Sequence, residues 1–298
     1  MPGGETPCGP FRVQSMEPMQ FGDVRVTRVE EMIWEISPRF LFPELTYEDF
    51  EPHREWLVPH FSTEELKLRL SIHTFVVRTP YHTVLVDTCI GNDRKRDVPL
   101  WDHMSSSYLE NLAAAGVKPE EVDYVFCTHM HVDHVGWNTR LQDGRWVPTF
   151  PNAKYLFNRK EWEFWKDTRD ANQAEVMKDS LLPVMEAGLH EFVEETRTIG
   201  GELRLEPTPG HTPGHCSVHL ASNGEEAVIT GDMIHHPSQI AEPHWSPRVD
   251  WDMKLGTRTR RAFIEKYADT DTVILGTHFA PPTAVRIRRS GGGFLVET

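Results

Sequence analysis

The sequence predicts one mixed α/β domain in which two β-sheets pack together and helices cover their outer faces. Three observations carry that expectation. Strand-like and helix-like segments alternate along the chain without a dividing linker. The 298 residues suffice for one large core, and a composition of 39% hydrophobic and 26% charged residues is that of an ordinary globular chain. Finally, the ligand-like polar residues fall where apolar strand-like runs turn into loops, the place where α/β folds gather their sites.

Taken in order, residues 1–20 are rich in Pro, Gly and Met and read as a loose arm. "VRVTRVEEMIWEI" (24–36) fits strands. Residues 38–69 form an irregular or helical insert whose aromatics, Phe40, Phe42, Trp56 and Phe61, either wall a pocket, make a subunit interface or pack onto the domain. The division expected is an arm and insert over 1–69 packed on a catalytic unit over 70–298, a single domain overall. "LSIHTFVVRTP" and "HTVLVDTCIG" alternate and form a strand pair. "SSSYLENLAAAG" has serine caps and a terminal glycine, hence a helix. "VDYVFCTH" is a strand buried on both faces, and "AKYLFN" is another. "NRKEWEFWKD" starts a helix at an Asn cap, and "NQAEVMKDSLLPVMEAG" is helical despite its proline. The second half gives strand, loop, strand in "GELRLEPTPGHTPGHCSVHLAS", a strand in "EEAVITGDMIHH", a helix in "TRTRRAFIEKYADT" and a strand in "DTVILGTHF". "AVRIRR" and "GFLVET" close the chain.

Bulk properties narrow the partners. A net charge of −14 and a pI near 5.6 repel phosphate backbones, so no nucleic-acid partner is expected. "NDRKR" (92–96) and "RTRR" (258–261) read as solvated faces. Cys8, Cys89, Cys127 and Cys216 show no CxxC spacing and read as reduced thiols of a cytoplasmic protein. The N-terminal residues hold no apolar h-region, so no signal peptide is expected. No run of 18 apolar residues predicts a membrane span. The aromatic insert makes a homodimer plausible.

The chemistry sits in "CTHMHVDHVGW" (127–137). His129 and His131 are two apart, so an extended backbone points both rings to one side and toward one ion. Asp133 and His134 follow where the chain turns and reach a second ion. Imidazole with carboxylate suits zinc, iron, manganese or cobalt, and oxygen ligands are too few for calcium. The remaining ligands come from far along the chain: His211 in "TPGHTPGH", and the strand-end residues Asp232 and His278. His215 reads as a supporting residue. His73, His82, His219 and His244 read as ordinary core or surface histidines.

These motifs resemble the metallo-β-lactamase-fold hydrolases. "HMHVDH" matches the His-X-His-X-Asp-His signature, and "PGHTPGH", "TGD" and "GTH" follow in the family order over roughly residues 70–280. The resemblance implies an αββα sandwich with two divalent metal ions, zinc before iron, manganese or cobalt, at one edge of the sheets. It gives His129, His131 and His211 to one ion, Asp133, His134 and His278 to the other, and Asp232 with a water or hydroxide to both. Asp87 matches an aspartate that orients the metal site in relatives, or else caps its strand.

The family's reaction is hydrolysis by water activated between the ions. The β-lactamase branches commonly replace the bridging aspartate by Cys or Ser, whereas this chain has Asp232. No glutathione-binding domain or tRNA-binding arm is evident. The chain looks closer to quorum-quenching lactonases and methyl-parathion-hydrolase-like enzymes. It departs from the lactonases three residues after the bridging aspartate, where His235 stands in place of their tyrosine. The expected catalytic residues are Asp133, Asp232 and His235, with His235 assisting the leaving oxygen. The expected substrate is a small-molecule lactone, carboxyl ester or phosphotriester. The alternative is an iron-dependent persulfide dioxygenase or a thioesterase on the same fold. Trp101, Trp137, Trp245 and His236 either wall a pocket beside the metals or pack into the core.

Overall fold

Period-two alternation of apolar side chains puts the first third of the chain into a meander. In this computed structural model, which describes residues 17–194 and 196–298, β1 (Met19–Phe21), β2 (Val24–Ile36), β3 (Leu68–Arg78) and β4 (Thr83–Val86) pair antiparallel in turn. The arm at 1–16, with Cys8, lies outside the described residues. β5 (Tyr124–Phe126) joins β4 in parallel, and a separate hairpin, β6 (Thr139–Gln142) and β7 (Arg145–Pro148), follows. β8 (Lys154–Asn158) and β9 (His190–Val193) complete a seven-stranded mixed sheet in the order β1-β2-β3-β4-β5-β8-β9.

The second sheet holds β10 (Thr198–Ile199), β11 (Leu203–Pro207), β12 (Cys216–Ser222), β13 (Glu225–Ile229), β14 (Val273–Leu275), β15 (Ala284–Ser290) and β16 (Gly293–Glu297) in sequence order. Only the β13–β14 pair is parallel, because the helix Met253–Tyr267 forms the crossover between them. That helix starts where the Asp252 side chain accepts the Leu255 amide.

Val26, Val77, Val84 and Phe126 of the first sheet meet Leu205, Val218, Ile229 and Leu275 of the second in a shared core. The outer face of the first sheet packs on helices such as Tyr108–Ala114. The outer face of the second packs on Met253–Tyr267 and on the insert. The result is the expected four layers, αββα.

The insert forms short helices, Pro38–Leu41, Tyr47–Phe50 and Arg54–Leu57, around buried Phe42, Phe50 and Phe61. Of its four aromatics, Phe42 and Phe61 are therefore core residues, Trp56 packs against that core, and Phe40 remains 41% exposed. The segment with the internal proline is helical from Ala171 to Glu186 but widens into a π turn at Met177–Leu181. Pro183 lacks an N–H and crowds the preceding turn, so the wider turn accommodates it.

Four strand ends aim at one edge of this sandwich. β4 and β5 run parallel in the first sheet and β13 and β14 in the second, and residues that follow these ends meet: His134 lies 3.0 Å from Asp87 and 3.3 Å from Asp232, and Asp232 lies 3.1 Å from His278. Pairing of Ser71 N–H with the His278 carbonyl (2.9 Å) ties the two sheets together there.

Candidate active site

The loops at this edge bring seven sequence-predicted ligands together. His129, His131, Asp133 and His134 leave the end of β5. His211 comes from the β11–β12 loop, Asp232 from the turn Gly231–Met233 after β13, and His278 from the end of β14. Gly231 is needed in that turn. Its φ is +57°, and a Cβ there would lie 2.4 Å from Nε2 of His215.

Three ring nitrogens converge: His129 Nε2 is 3.0 Å from His131 Nδ1 and 3.1 Å from His211 Nε2, which is 2.9 Å from His131 Nδ1. A neutral imidazole carries a single N–H, while a divalent ion with ligands at about 2.0–2.1 Å gathers lone pairs from several rings. The second set is looser: Asp133 lies 3.6 Å from both His134 Nε2 and His278 Nε2. Asp232 stands between the sets. Its Oδ2 is 3.3 Å from His134 Nε2 and 3.5 Å from His211 Nε2, and its Oδ1 is 3.1 Å from His278 Nε2. Buried His134 Nε2 and Asp232 Oδ1 meet these neighbours without the geometry of a hydrogen bond. Orphaned polar atoms inside a His/Asp cluster fit cation ligation. The groups His129/His131/His211, His129/His134/Asp232 and Asp133/His134/His278 each keep their ligand atoms within 4.8 Å of one another.

The opposite nitrogens are held from outside. His278 Nδ1 lies 3.0 Å from the Ser71 carbonyl, and donation there frees Nε2 for the cluster. His211 Nδ1 is 3.0 Å from Asp250 Oδ1, and His134 Nδ1 is 3.0 Å from Asp87 Oδ2. Asp87 also accepts the Thr128 amide (2.7 Å) and hydroxyl (3.0 Å), while Thr128 Oγ1 touches His129 Nδ1 (3.1 Å). Such partners fix imidazole orientation and tautomer. His215 is likewise a support: its ring joins the Thr208 hydroxyl and accepts the Asp232 amide at 2.8 Å.

Charge is distributed to match. Burial holds His129 and His211 well below the usual imidazole range and His131 at about 3, so these rings are neutral and able to ligate. Burial acts the same way on His134, but Asp232, Asp87 and Asp133 outweigh it and push that ring well up. Asp232 is held well below the carboxylate range. Burial opposes this, and His134, His278, His235 and His129 overcome it. Burial raises Asp250 to about 6.

The cluster floors a cavity of about 460 Å³. Trp34, Leu70, Ile72, Val98, Trp101, Trp165 and Val176 give it mainly apolar walls, and Lys95, Arg96, Asp97 and Asp170 add charge. His235 lines it too, with Nε2 3.1 Å from Asp232 Oδ2. Of Trp101, Trp137, Trp245 and His236 only Trp101 lines the cavity, and of the insert's four aromatics only Phe40 does. Trp137 is drawn into the core, stacked on Tyr108 with its indole N–H on Glu31. Trp245 packs on Phe50 at 4.6 Å, and His236 bonds the Phe61 carbonyl and the Ser238 hydroxyl. Those bonds satisfy the polar atoms of Trp137 and His236 away from the site. Asp250 went unnoticed in the sequence because a lone loop aspartate in "PRVDWD" has no spacing signal. Trp34 and Trp165 read there as ordinary strand and helix residues.

The chain belongs to the metallo-beta-lactamase superfamily, whose family model matches residues 69–278. It is 26% identical over 177 residues to the N-acyl homoserine lactonase of Bacillus thuringiensis, covering 54% of this chain and 63% of that protein. It is 28% identical over 167 residues to the uncharacterised protein YobT of Bacillus subtilis strain 168, covering 55% and 67%. The chain thus spans roughly two thirds of the length of these curated relatives. Among solved structures, the hydrolase AbOPH of the beta lactamase superfamily superposes with a TM-score of 0.80 at 27% identity, over 96% of this chain and 98% of that one. AidC, a dizinc quorum-quenching lactonase, superposes with a TM-score of 0.77 at 20% identity, over 94% and 96%; that likeness concerns the fold.

Proposed function

We propose that this protein is a metal-dependent hydrolase that opens a lactone or cleaves a related ester bearing an apolar acyl or aryl part. The observation that carries this reading is the cavity floor: two imidazole–carboxylate sets share one buried aspartate and open onto an apolar chamber. A purely structural zinc site is instead closed by its protein ligands. His129, His131 and His211 would hold one divalent ion, Asp133, His134 and His278 a second, and Asp232 both. When bound, the ions supply water of lowered pKa and polarise the substrate oxygen.

The chain's own residues do the rest. Asp232 keeps the two sets at a fixed separation and is placed to accept the attacking water's proton. Asp133 lines the cavity 3.6 Å from both His134 Nε2 and His278 Nε2 and adds a carboxylate to that set. His235 is placed to donate a proton or hydrogen bond to the leaving oxygen. Trp34, Ile72 and Trp101 take up the apolar part and exclude water. The lactonase names among the relatives support a lactone, and the dizinc neighbour supports zinc. Iron, manganese and cobalt suit the same donors.

The test is a screen of the zinc-loaded protein against acyl lactones, aryl esters, phosphotriesters and a cephalosporin. Turnover of a lactone or aryl ester is expected, falling by at least about a hundredfold in His131→Ala and Asp232→Asn while circular dichroism stays the same. Full activity in either variant refutes the roles of His131 and Asp232. His235→Phe should make turnover depend more steeply on leaving-group pKa; an unchanged dependence removes His235 from the reaction.

A further inference from the structure

Glu161 sits in the first turn of the helix Arg159–Trp165, where a glutamate ordinarily faces water. Here it is 1% exposed, and each of its oxygens holds a different ligand loop. Oε1 accepts the Gly214 amide at 2.9 Å, in the loop that carries His211. Oε2 accepts the Met130 amide at 3.3 Å, between His129 and His131, and the Trp165 indole N–H at 3.0 Å. The Met130 carbonyl is held in turn by the Gln173 side-chain amide at 2.6 Å. Both backbone polar groups of Met130, the residue between the paired histidines, are therefore fixed from one helical layer. The approach is close enough that a Cβ on Gly214 would lie 2.7 Å from the Glu161 amide nitrogen.

These three histidines come from two loops about 80 residues apart in sequence. The Cys216 N–H to Thr128 carbonyl bond (3.0 Å) ties the two segments at their base, but nothing in either loop alone sets the distance from His211 to the His129–His131 pair. We propose that Glu161 is a positioning residue that clasps these loops and so sets the affinity of the three-histidine ion site, with the helix Arg159–Trp165 as its rigid base. The inference rests on the metal-dependent reading of the site. A carboxylate suits the task because it offers two acceptors and no donor to three N–H groups. An amide of the same shape turns one acceptor into a donor, which faces a backbone N–H and releases one loop.

The test compares wild type, Glu161→Gln and Glu161→Asp as metal-free protein titrated with cobalt(II), followed by visible absorption. Wild type should bind two equivalents. Glu161→Gln should weaken one of them by about ten- to a hundredfold, the range for partners that orient metal ligands, and change the band intensity of that site while the other stays within about twofold. Glu161→Asp, which keeps both acceptors on a shorter stem, should recover part of that affinity. If both equivalents bind Glu161→Gln as tightly as wild type with the same spectrum, even when its metal-free form melts earlier, Glu161 supports the fold only and the proposal fails. If wild type binds no cobalt, the metal reading itself fails and takes this proposal with it. Should Glu161→Gln not fold, amide hydrogen exchange on the metal-free wild type decides. Met130 and Gly214 should be protected together, and fast exchange at either contradicts the clasp.

Discussion

Asp250 shows how much one side chain outside the ligand set contributes. Its Oδ1 fixes the His211 ring, and its Oδ2 is buried without a partner. Asp250→Ala should lower zinc affinity by about ten- to a hundredfold by freeing the ring and its tautomer. Competition with a chelator measures this, and an unchanged affinity refutes the support. The clustering of His129, His131, Asp133 and His134 was legible because their motif is local, with four polar residues directly after an apolar run, and His211, Asp232 and His278 stood out as polar residues where strand-like runs end. Asp250 and Glu161 were not legible. Each resembles a commonplace loop or helix carboxylate until the fold brings a distant donor to it.

At the scale of elements, the strands were readable where alternation was sustained, as in β2, β3 and β12. They were less readable where they are short. β9, β10 and the β6–β7 hairpin have too few residues for a period to stand out. The insert shows the same limit for burial. Phe42 and Phe61 are core while Phe40 borders the cavity, a difference that depends on the tertiary packing of the insert and not on any period within it. The turn Gly231–Met233 is the element on which Asp232 depends. Gly231→Ala must force a positive φ and displace the His215 ring. It should cost about 1–3 kcal/mol of stability, seen as a lower urea midpoint at unchanged slope. An unchanged midpoint means that the turn relaxes freely.

For the whole molecule, the cost of the site appears as acid sensitivity. Burial holds His131 and His215 at about 3, His236 at about 4, and His73, His129 and His211 well below the normal range. The unfolded chain takes up protons on these rings below about pH 6.5 while the folded chain does not. The contribution of these rings to the stability of the metal-free protein should therefore be full above about pH 6.5 and fall toward pH 4, by about 1.4 kcal/mol per pH unit for each proton taken up. His134 and His278 are raised and oppose the trend, as do the buried carboxyls of Glu31 and Glu161 and of Asp250, which burial lifts to about 6, but these five are fewer than the six depressed histidines. Denaturant titrations at pH 7 and pH 5 check the sign; equal or greater stability at pH 5 contradicts it. Zinc should raise the melting temperature at pH 7, since it binds only the folded site. Among the described residues no helix is long and apolar enough to cross a membrane. The αββα architecture was legible from alternating elements together with the motif order. Wall residues such as Trp137 and Trp245 were not, because sequence cannot say which side of a loop meets the core.

The measurement that bears most directly on the central claim is anomalous diffraction from zinc-loaded crystals. Two peaks about 3.5–4 Å apart are expected, one within His129, His131 and His211, the other within Asp133, His134 and His278, with Asp232 touching both. A single peak, or peaks that leave either group of side chains without an ion, would contradict it.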